Sequence, residues 1–498
     1  MERKTVEANL NAGDETSSRE RWQLLQEIAH LNAAIKARED ALKASEAALQ
    51  EAQTELQRIY NSRGWMALSL YYKVRNCFLP EGTPRRDIIV RFFHGALRVV
   101  KTARRERRDQ LEVSRETSHQ TRPFGINLAG YFESEKGVGE AARATVRALE
   151  AVSVPYVMNN VRDAGAVNVD SISGCFSDEN PYNINLVHIN ADQLPTFGVR
   201  KGREYFAQRF NVGYWFWELA SFPSDYYGSF ECFDELWTAS KFTQAALAHA
   251  SPIPVVRIPP ALNPAPMVVD KETGCDRFRL PCDRFLFLVM FDFHSSIERK
   301  NPAAAVEAFK QAFGKAEDVM LVVKSSHLSD DKAPLRPILE SAQNQNNIRV
   351  IDGVFSRWEI DHLLVACDCF VSLHRSEGFG LPIAEAMKFR KPVLATAYSG
   401  NMDFMTPTNS FLVRYGLVEL DRDYGPYRRG SVWAEPDVSH AADLMRYVYE
   451  KREEASKIGV KAEQDIMRLF SPPVIGQQIR ERLTRLASLG RFSVDKHN

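Results

Sequence analysis

This sequence of 498 residues lacks features that define several large classes of proteins. It has no run of about 18 apolar residues, so no transmembrane helix is predicted. Its start, MERKTVEANLNAGDET, lacks the apolar core of a signal peptide. Lys plus Arg and Asp plus Glu both number 64, so the net charge does not indicate a nucleic-acid partner. We therefore expect a cytoplasmic protein that binds no nucleic acid.

Cysteine is sparse and follows no recognised pattern. The seven cysteines are odd in number and include no C-x-x-C pair, so neither a disulfide framework nor a zinc site is indicated. The one D-x-D, Asp421-Arg-Asp423, lies in a Gly-Pro loop, which is a poor place for a metal-bound diphosphate. We expect no metal and no other cofactor. The hydrophobic content of 44% is nevertheless ordinary for a globular protein with a sizeable core.

The first 121 residues differ in character from the remainder. Apolar residues between Leu24 and Ile59 fall at heptad spacing, which predicts a coiled-coil helix over residues 1–60 and self-association through 24–59. A single amphipathic helix lying on a neighbouring domain is the alternative. Residues 61–121 are predicted to form a basic amphipathic linker suited to an anionic membrane surface. A packed helix with a solvated basic end fits that segment equally well.

From residue 122 onward, apolar runs and helical patterns alternate. The predicted strands of the first series include Ile184–Ile189, Val212–Phe216 and Leu236–Ala239. A proline-rich stretch, VRIPPALNPAPM, follows, and the alternation begins again with RFLFLVMF. This pattern predicts an α/β fold of two Rossmann-like domains, 122–270 and 271–475, with a C-terminal helix and tail at 476–498. Ligands of this architecture bind in the cleft at the carboxyl ends of the strands.

The segment SEGFGLPIAEAM at 376–387 places two glutamates around a glycine-containing turn. Gly378 and Gly380 let the backbone approach a ligand closely, and the free amides of the following helix attract an anion such as a diphosphate. The carboxylates of Glu377 and Glu385 repel phosphate but accept hydrogen bonds from hydroxyl groups. A ligand that has both a diphosphate and many hydroxyls is a nucleotide sugar. Plain packing of a strand, turn and helix is the alternative.

The spacing of Glu377 and Glu385 around G-F-G-L-P resembles the signature of the retaining glycosyltransferases with the GT-B fold, of the family 4-like type. The resemblance covers roughly residues 122–485. WFWELASFP and ATAYSGNMDFM are similar to the branch that builds bacterial cell-surface polysaccharides. The resemblance implies that Glu385 binds the nucleotide ribose and that Glu377 lies by the donor sugar. The donor-binding backbone that it implies is that of Gly378, Phe379, Gly380 and Leu381.

Three other segments supply further donor-site candidates. The resemblance implies that a basic pair holds the diphosphate, and Arg299 and Lys300 precede a predicted helix, although the family's usual arginine about five residues earlier is missing. Lys324 ends a predicted strand and adds phosphate-binding charge, with a solvated lysine as the alternative. Gly137 and Gly139 in GVGEAA match the glycine-rich first loop that the resemblance implies. The same letters fit a dinucleotide fingerprint, so a nicotinamide-dependent oxidoreductase is a rival interpretation.

The acceptor-side candidates are His188, Asn190 and Glu218. Asn190 falls where the similar family carries a histidine that contacts the donor sugar. His188 lies two residues earlier and faces the same way on a strand, with a core histidine as the alternative. Glu218 is an acid near the predicted cleft, within an aromatic stretch that could equally be core.

The resemblance thus implies transfer of a hexose from a nucleotide-diphosphate sugar to a glycan or lipid-linked glycan, with retention of configuration. The expected place is the cytoplasm, peripheral to the inner face of the cytoplasmic membrane. A non-catalytic GT-B scaffold that acts through the coiled coil and the basic helix is the alternative.

Overall fold

The computed structural model of the protein describes residues 122–163, 166, 176–265, 270–292, 295–326 and 336–492. These residues belong to one unit that runs from Gln120 to Asn498. The predicted coiled coil and basic linker lie outside the described residues, as does the end of the predicted tail.

The N-terminal domain is built on a six-stranded parallel sheet with the order β2-β1-β3-β4-β5-β6. Its strands are β1 (Ile126–Gly130), β2 (Tyr156–Asn160), β3 (Ile184–Val187), β4 (Phe210–Tyr214), β5 (Glu235–Thr238) and β6 (Val255–Arg257). Its helices are α1 (Gly137–Ala151), α2 (Leu194–Phe206) and α3 (Lys241–Ala250), with a 3₁₀ helix at Ser224–Cys232. β1, β3, β4 and β5 are buried along their whole length, because helices cover both faces of a parallel sheet.

The C-terminal domain has a second six-stranded parallel sheet with the order β12-β11-β10-β7-β8-β9. Its strands are β7 (Phe285–Asp292), β8 (Val319–Ser326), β9 (Ile348–Asp352), β10 (Cys369–Ser372), β11 (Val393–Thr396) and β12 (Phe411–Val413). An antiparallel hairpin, β13 (Tyr415–Glu419) and β14 (Val432–Pro436), extends from it. The helices are α4 (Lys271–Phe278), α5 (Ile297–Lys300), α6 (Pro302–Phe313), α7 (Arg336–Asn344), α8 (Arg357–Ala366), α9 (Leu381–Lys388), α10 (Val438–Glu450), α11 (Arg452–Phe470) and α12 (Pro472–Ser488), with a 3₁₀ helix at Gly400–Asp403.

Each sheet contains one point where the strand order reverses. These points lie between β1 and β3 in the first sheet and between β7 and β10 in the second. Loops that leave neighbouring strands there diverge to opposite faces, and the crevice between them is where open α/β sheets bind ligands. The predicted fold of two parallel-sheet α/β domains is confirmed.

The last helix returns to the N-terminal domain. A Cβ built on Gly476 of α12 would lie 2.2 Å from the carbonyl oxygen of Ala148 in α1. The two helices are therefore so close that residue 476 has no room for a side chain. The N–H of Leu262 donates to the carbonyl of Phe470 at 2.8 Å, which ties the end of α11 to the same domain. The predicted boundary after residue 475 therefore falls inside α12.

A disulfide joins Cys275 of α4 to Cys282, whose Cα atoms are 5.8 Å apart. The spacing of the cysteines indicated no disulfide framework and did not report this single bridge, because bridging within a short segment depends on backbone geometry. Within the described ranges, no helix has the length and apolar character needed to cross a membrane.

Candidate active site

A cavity of about 460 Å³ lies at the carboxyl ends of both sheets. It is lined by the loops that follow β1 and β3 in one domain and β7 and β10 in the other, which are the loops at the two reversal points. Of the predicted site residues, the cavity brings together Arg299, Lys300, Lys324, Glu377, Gly378, Phe379, Gly380, Leu381, Glu385, Gly137, Asn190 and Glu218. Gly139 and His188 do not line it.

The turn SEGFG connects β10 to α9 and is bonded to both domains. Gly380 has a φ of +88°, a conformation that glycine adopts without steric cost. The carbonyl of Gly378 accepts hydrogen bonds from Ser240 Oγ at 2.5 Å and from Thr243 Oγ1 at 3.1 Å, both in the N-terminal domain. The turn and the start of α9 therefore line the cavity from a fixed position.

Glu377 is held by Arg299 and Lys300, the basic pair that was expected to bind the diphosphate. Lys300 Nζ lies 2.6 Å from Oε1 of Glu377, and Arg299 Nη1 lies 3.3 Å from Oε2. Burial opposes the ionised form of this carboxyl, but Lys300 and Arg299 outweigh burial and lower the pKa of Glu377 to about 2. Glu377 is thus a carboxylate at neutral pH, and it orients both cations at the cavity.

Arg299 is 5% exposed and lies deeper than Lys300. Its Nη1 donates to the carbonyl of Ser376 at 2.8 Å, while its buried Nε–H has no hydrogen-bond partner. A buried N–H without an acceptor costs about 1–3 kcal/mol. An anion in the cavity beside Arg299 would therefore bind to a donor that has already lost its water.

Lys324 is also buried and lines the cavity, and it is not a solvated lysine. Its Nζ donates to Ser326 Oγ at 2.5 Å and lies 5.2 Å from the ring centre of Phe355. Burial lowers the pKa of Lys324 to about 8, although Asp292 and Asp352 oppose this shift. The free protein therefore holds this ammonium group at an energetic cost that a phosphate would offset.

Glu385 pairs with an arginine that sequence reasoning missed. Arg357 Nη1 bonds Oε1 of Glu385, and Arg357 Nε donates to Asp361 at 2.9 Å. Burial raises the pKa of Glu385, and Arg357 counteracts that rise. Arg357 begins α8, where Ser356 and Glu359 form a capping box; such a box reports where a helix starts but not the role of its first residue.

The two glycines of GVGEAA occupy different environments. Gly137 lines the cavity, and a Cβ there would meet no atom within 4 Å. A Cβ on Gly139 would lie 2.3 Å from the carbonyl oxygen of Ser134, so this glycine permits close packing of α1 on its own preceding loop. Glu140, one residue on, also lines the cavity and bonds Arg147 at 2.6 Å.

The acceptor-side candidates His188 and Asn190 also lie in different environments, one in the core and one at the cavity. His188 is 3% exposed, stacks on Tyr214 with ring centres 4.3 Å apart, and places Nε2 3.1 Å from Thr145 Oγ1. Burial lowers the pKa of His188 to about 3, so it is a neutral core histidine. Asn190 lines the cavity, and its Oδ1 accepts from the N–H of Phe216 at 2.9 Å, which shapes the loop after β4.

Glu218 receives a partner from the β13–β14 hairpin. The hydroxyl of Tyr427 donates to Glu218 Oε2 at 3.0 Å, and both residues line the cavity. The same Gly-Pro loop contains the D-x-D of Asp421 and Asp423. Asp423 is exposed and bonds Arg428 at 3.1 Å. In the described ranges, no group of three or more His, Cys, Asp or Glu side chains could hold a metal ion.

Comparison with solved structures agrees with this architecture. A glycosyltransferase from Rickettsia africae ESF-5 is 15% identical with a TM-score of 0.53, and the match covers 74% of this chain and 99% of that one. Sucrose-phosphate synthase from Thermosynechococcus elongatus is 14% identical with a TM-score of 0.53, over 74% and 100%. HepE from Anabaena, solved with UDP and glucose, is 16% identical with a TM-score of 0.51, over 72% and 99%.

Sequence comparison gives a family for the second domain. No curated protein matches the chain in sequence. Residues 290–465 match the family model of the glycosyl transferases group 1, and this range runs from β7 into α11 and includes Arg299, Lys300, Glu377 and Glu385. The chain therefore carries a glycosyl transferases group 1 domain within a GT-B fold of two Rossmann-like domains.

Proposed function

We propose that this protein transfers a hexose from a nucleotide-diphosphate sugar to a glycan or lipid-linked glycan, with retention of configuration, in bacterial surface polysaccharide synthesis. The observation that carries the proposal is the convergence of three buried or half-buried cations and two buried glutamates on one cavity between two sheets. This set suits a ligand with an anionic centre and hydroxyl groups at both ends.

The cations support a diphosphate site on one side of the cavity. Arg299, Lys300 and Lys324 line the C-terminal side of the cavity together with the amides at the start of α9. Helix N-termini and buried cations both favour phosphate, and their charge stabilises a departing nucleoside diphosphate. Glu385 lies one turn into α9 and lines the same cavity, and we propose that its carboxylate accepts hydrogen bonds from the ribose hydroxyls.

The proposed reaction is as follows. The bond between the anomeric carbon and the donor phosphate oxygen breaks, and the acceptor hydroxyl forms its new bond from the same face. The departing phosphate oxygen takes the hydroxyl proton. Lys300 and Arg299 stabilise the negative charge of the leaving group, and Glu377 orients them beside the donor sugar. Retention rests on the resemblance of the glutamate motif to retaining enzymes.

UDP is the first nucleotide to test, because Anabaena HepE, which shares this fold, was solved with UDP and with UDP-glucose. The proposed site of action is the inner face of the cytoplasmic membrane. Self-association through residues 24–59 and contact of residues 61–121 with anionic lipid stay predictions.

Calorimetry with UDP-, GDP- and dTDP-sugars on the full chain tests the proposal. We expect one donor to bind and Glu385→Ala to weaken it by about 1.5–3 kcal/mol, roughly 10- to 100-fold, because hydrogen bonds to a charged acceptor are lost. Glu307→Ala is the matched control, because Glu307 is exposed on α6 and does not line the cavity. Failure of every donor to bind a folded protein would favour the non-catalytic scaffold instead.

A further inference from the structure

The β13–β14 hairpin exposes apolar side chains on the surface of the C-terminal domain. Every residue of β13 is exposed, and Tyr415, Leu417 and Val418 are 39%, 61% and 37% exposed. In the described ranges, no other helix or strand carries more than one exposed large apolar side chain. Val413 and Leu420 on either side of β13 are buried, so the strand is not a loose end of the chain. Clustered exposed apolar side chains mark a surface that contacts another molecule.

The backbone of β13 points alternately toward β14 and toward solvent. The N–H of Leu420 donates to the carbonyl of Ser431 at 2.8 Å, and the N–H of Asp437 donates to the carbonyl of Arg414 at 2.7 Å. Because hydrogen-bonded pairs alternate with non-hydrogen-bonded pairs in an antiparallel ladder, the even-numbered residues from 414 to 420 bond the β14 side. The backbone groups that point away from β14 belong to the odd-numbered residues, Tyr415, Leu417 and Glu419.

The two outer edges of the hairpin differ. On the β14 side, the N–H of Ala434 donates to the carbonyl of Arg375 at 3.0 Å, so the body of the domain covers that edge. On the β13 side, β14 is the only strand neighbour within the described ranges. Folded proteins protect such an edge with lysine, proline or a bulge, and β13, with the sequence YGLVE and a continuous register, has none of these. The outer edge of β13 is therefore open to a further strand.

The outer edge of β13 is complementary to itself. When two copies of β13 lie antiparallel across a two-fold axis at Leu417, Leu417 faces its own copy and Tyr415 faces Glu419 of the second copy. Every outward N–H and C=O group then meets an outward group of the other strand. The apolar pair lies at the centre and no two glutamates face each other, which avoids the repulsion of like charges. An axis at Gly416 or Val418 would instead leave Glu419 or Tyr415 facing a residue outside β13.

We propose that β13 binds β13 of a second copy of this chain, which joins the two hairpins into one antiparallel sheet of the order β14-β13-β13-β14. Main-chain hydrogen bonds supply the attraction, as in other cases of strand addition. Pairing of two short strands buries less than the roughly 1,000 Å² of a stable interface, so the contact is reversible and depends on protein concentration. It involves described residues alone and is separate from the self-association predicted for residues 24–59.

Disulfide trapping in the full chain tests this pairing. In the proposed register the Cα atoms of the two copies of Leu417 are about 5.5 Å apart, which lies within the range for a disulfide. Leu417→Cys should therefore form covalent dimers under mild oxidation with copper phenanthroline. Glu419→Cys is the matched control on the same face of the same strand, because its two copies lie roughly 14 Å apart, too far for a disulfide. We expect at least about tenfold more covalent dimer from Leu417→Cys than from Glu419→Cys.

Tyr415→Cys combined with Glu419→Cys checks the register. The two positions face each other across the pair, so the double variant should form covalent dimers although neither single variant does. Wild type sets the background from the chain's own cysteines, and a cooperative thermal transition shows that each variant folds.

Two results would overturn the inference. One is a dimer yield from Leu417→Cys no higher than that from Glu419→Cys, and the other is a double variant that stays at the wild-type background. The test uses no nucleotide, so failure of the proposed function would leave its result unchanged.

Discussion

Replacing Arg357 with methionine tests whether this arginine keeps the carboxyl of Glu385 ionised inside the protein. Removing one partner of a buried ion pair costs about 3–5 kcal/mol. The side chain of Arg357 is 37% exposed while that of Glu385 is 7% exposed, so solvent screens part of the interaction. We therefore expect about 2–3 kcal/mol, between the values for exposed and buried pairs. At roughly 2 °C per kcal/mol, the apparent melting temperature should fall by about 4–6 °C.

The loss should depend on pH in one direction. Burial already raises the pKa of Glu385, and without Arg357 the pKa of its carboxyl rises further. Between its pKa in the unfolded chain, about 4.3, and its pKa in the folded protein, the folded state binds more protons. Stability therefore falls as pH rises through that window. The difference from wild type should be small at pH 5 and full at pH 8.

Scanning calorimetry from pH 5 to pH 8 measures this difference. The matched control is Arg277→Met, which breaks the ion pair between Arg277 and Glu359. The side chain of Arg277 is 50% exposed, so this substitution should lower the free energy of unfolding by no more than about 1 kcal/mol. The double variant Arg357→Met with Glu385→Gln should lose most of the pH dependence. A loss equal at pH 5 and pH 8, or no larger than that of Arg277→Met, would refute the reasoning.

Four further variants address the cations and the first loop. Lys300→Ala should lower kcat/KM about 10²–10³-fold because leaving-group charge loses its nearest stabiliser, and unchanged steady-state kinetics would contradict this role. For Lys324, whose pKa is lowered to about 8, a bound diphosphate favours the protonated form, so nucleotide affinity should fall as pH rises above about 8. Calorimetry from pH 7 to 9.5 should show this fall in affinity in wild type and a smaller fall in Lys324→Gln. An equal fall in both proteins would show that Lys324 does not bind the diphosphate. Gly139→Ala should destabilise by about 1–3 kcal/mol, since its Cβ would strike the carbonyl of Ser134, while Gly137→Ala should leave the melting temperature unchanged.

The predicted strands show how far apolar patterning reaches. The segment expected at Ile184–Ile189 is observed at Ile184–Val187, and that expected at Leu236–Ala239 is observed at Glu235–Thr238. Parallel strands are buried on both faces, so a short apolar run identifies them. The apolar run does not locate the strand ends, because its last residues belong to the loop that follows the strand.

The Cys275–Cys282 disulfide and His188 mark the limit of local reasoning. Spacing did not indicate the disulfide, which depends on how α4 turns at its end. For His188, alternation along the strand permitted either the cleft or the core, and the position of α1 with Thr145 decided for the core. In both cases the deciding atoms belong to backbone geometry or to a neighbouring element.

By itself, the sequence determined the α/β alternation and the strand, turn and helix that hold Glu377 and Glu385. These features lie within short segments, where periodicity, glycine and proline report the backbone directly. Only the tertiary structure decided the partners of these residues. Tyr427 meets Glu218 across 209 residues of sequence, and Arg357 meets Glu385 across 28. Such contacts depend on strand order and on how two domains face each other, which no local pattern encodes.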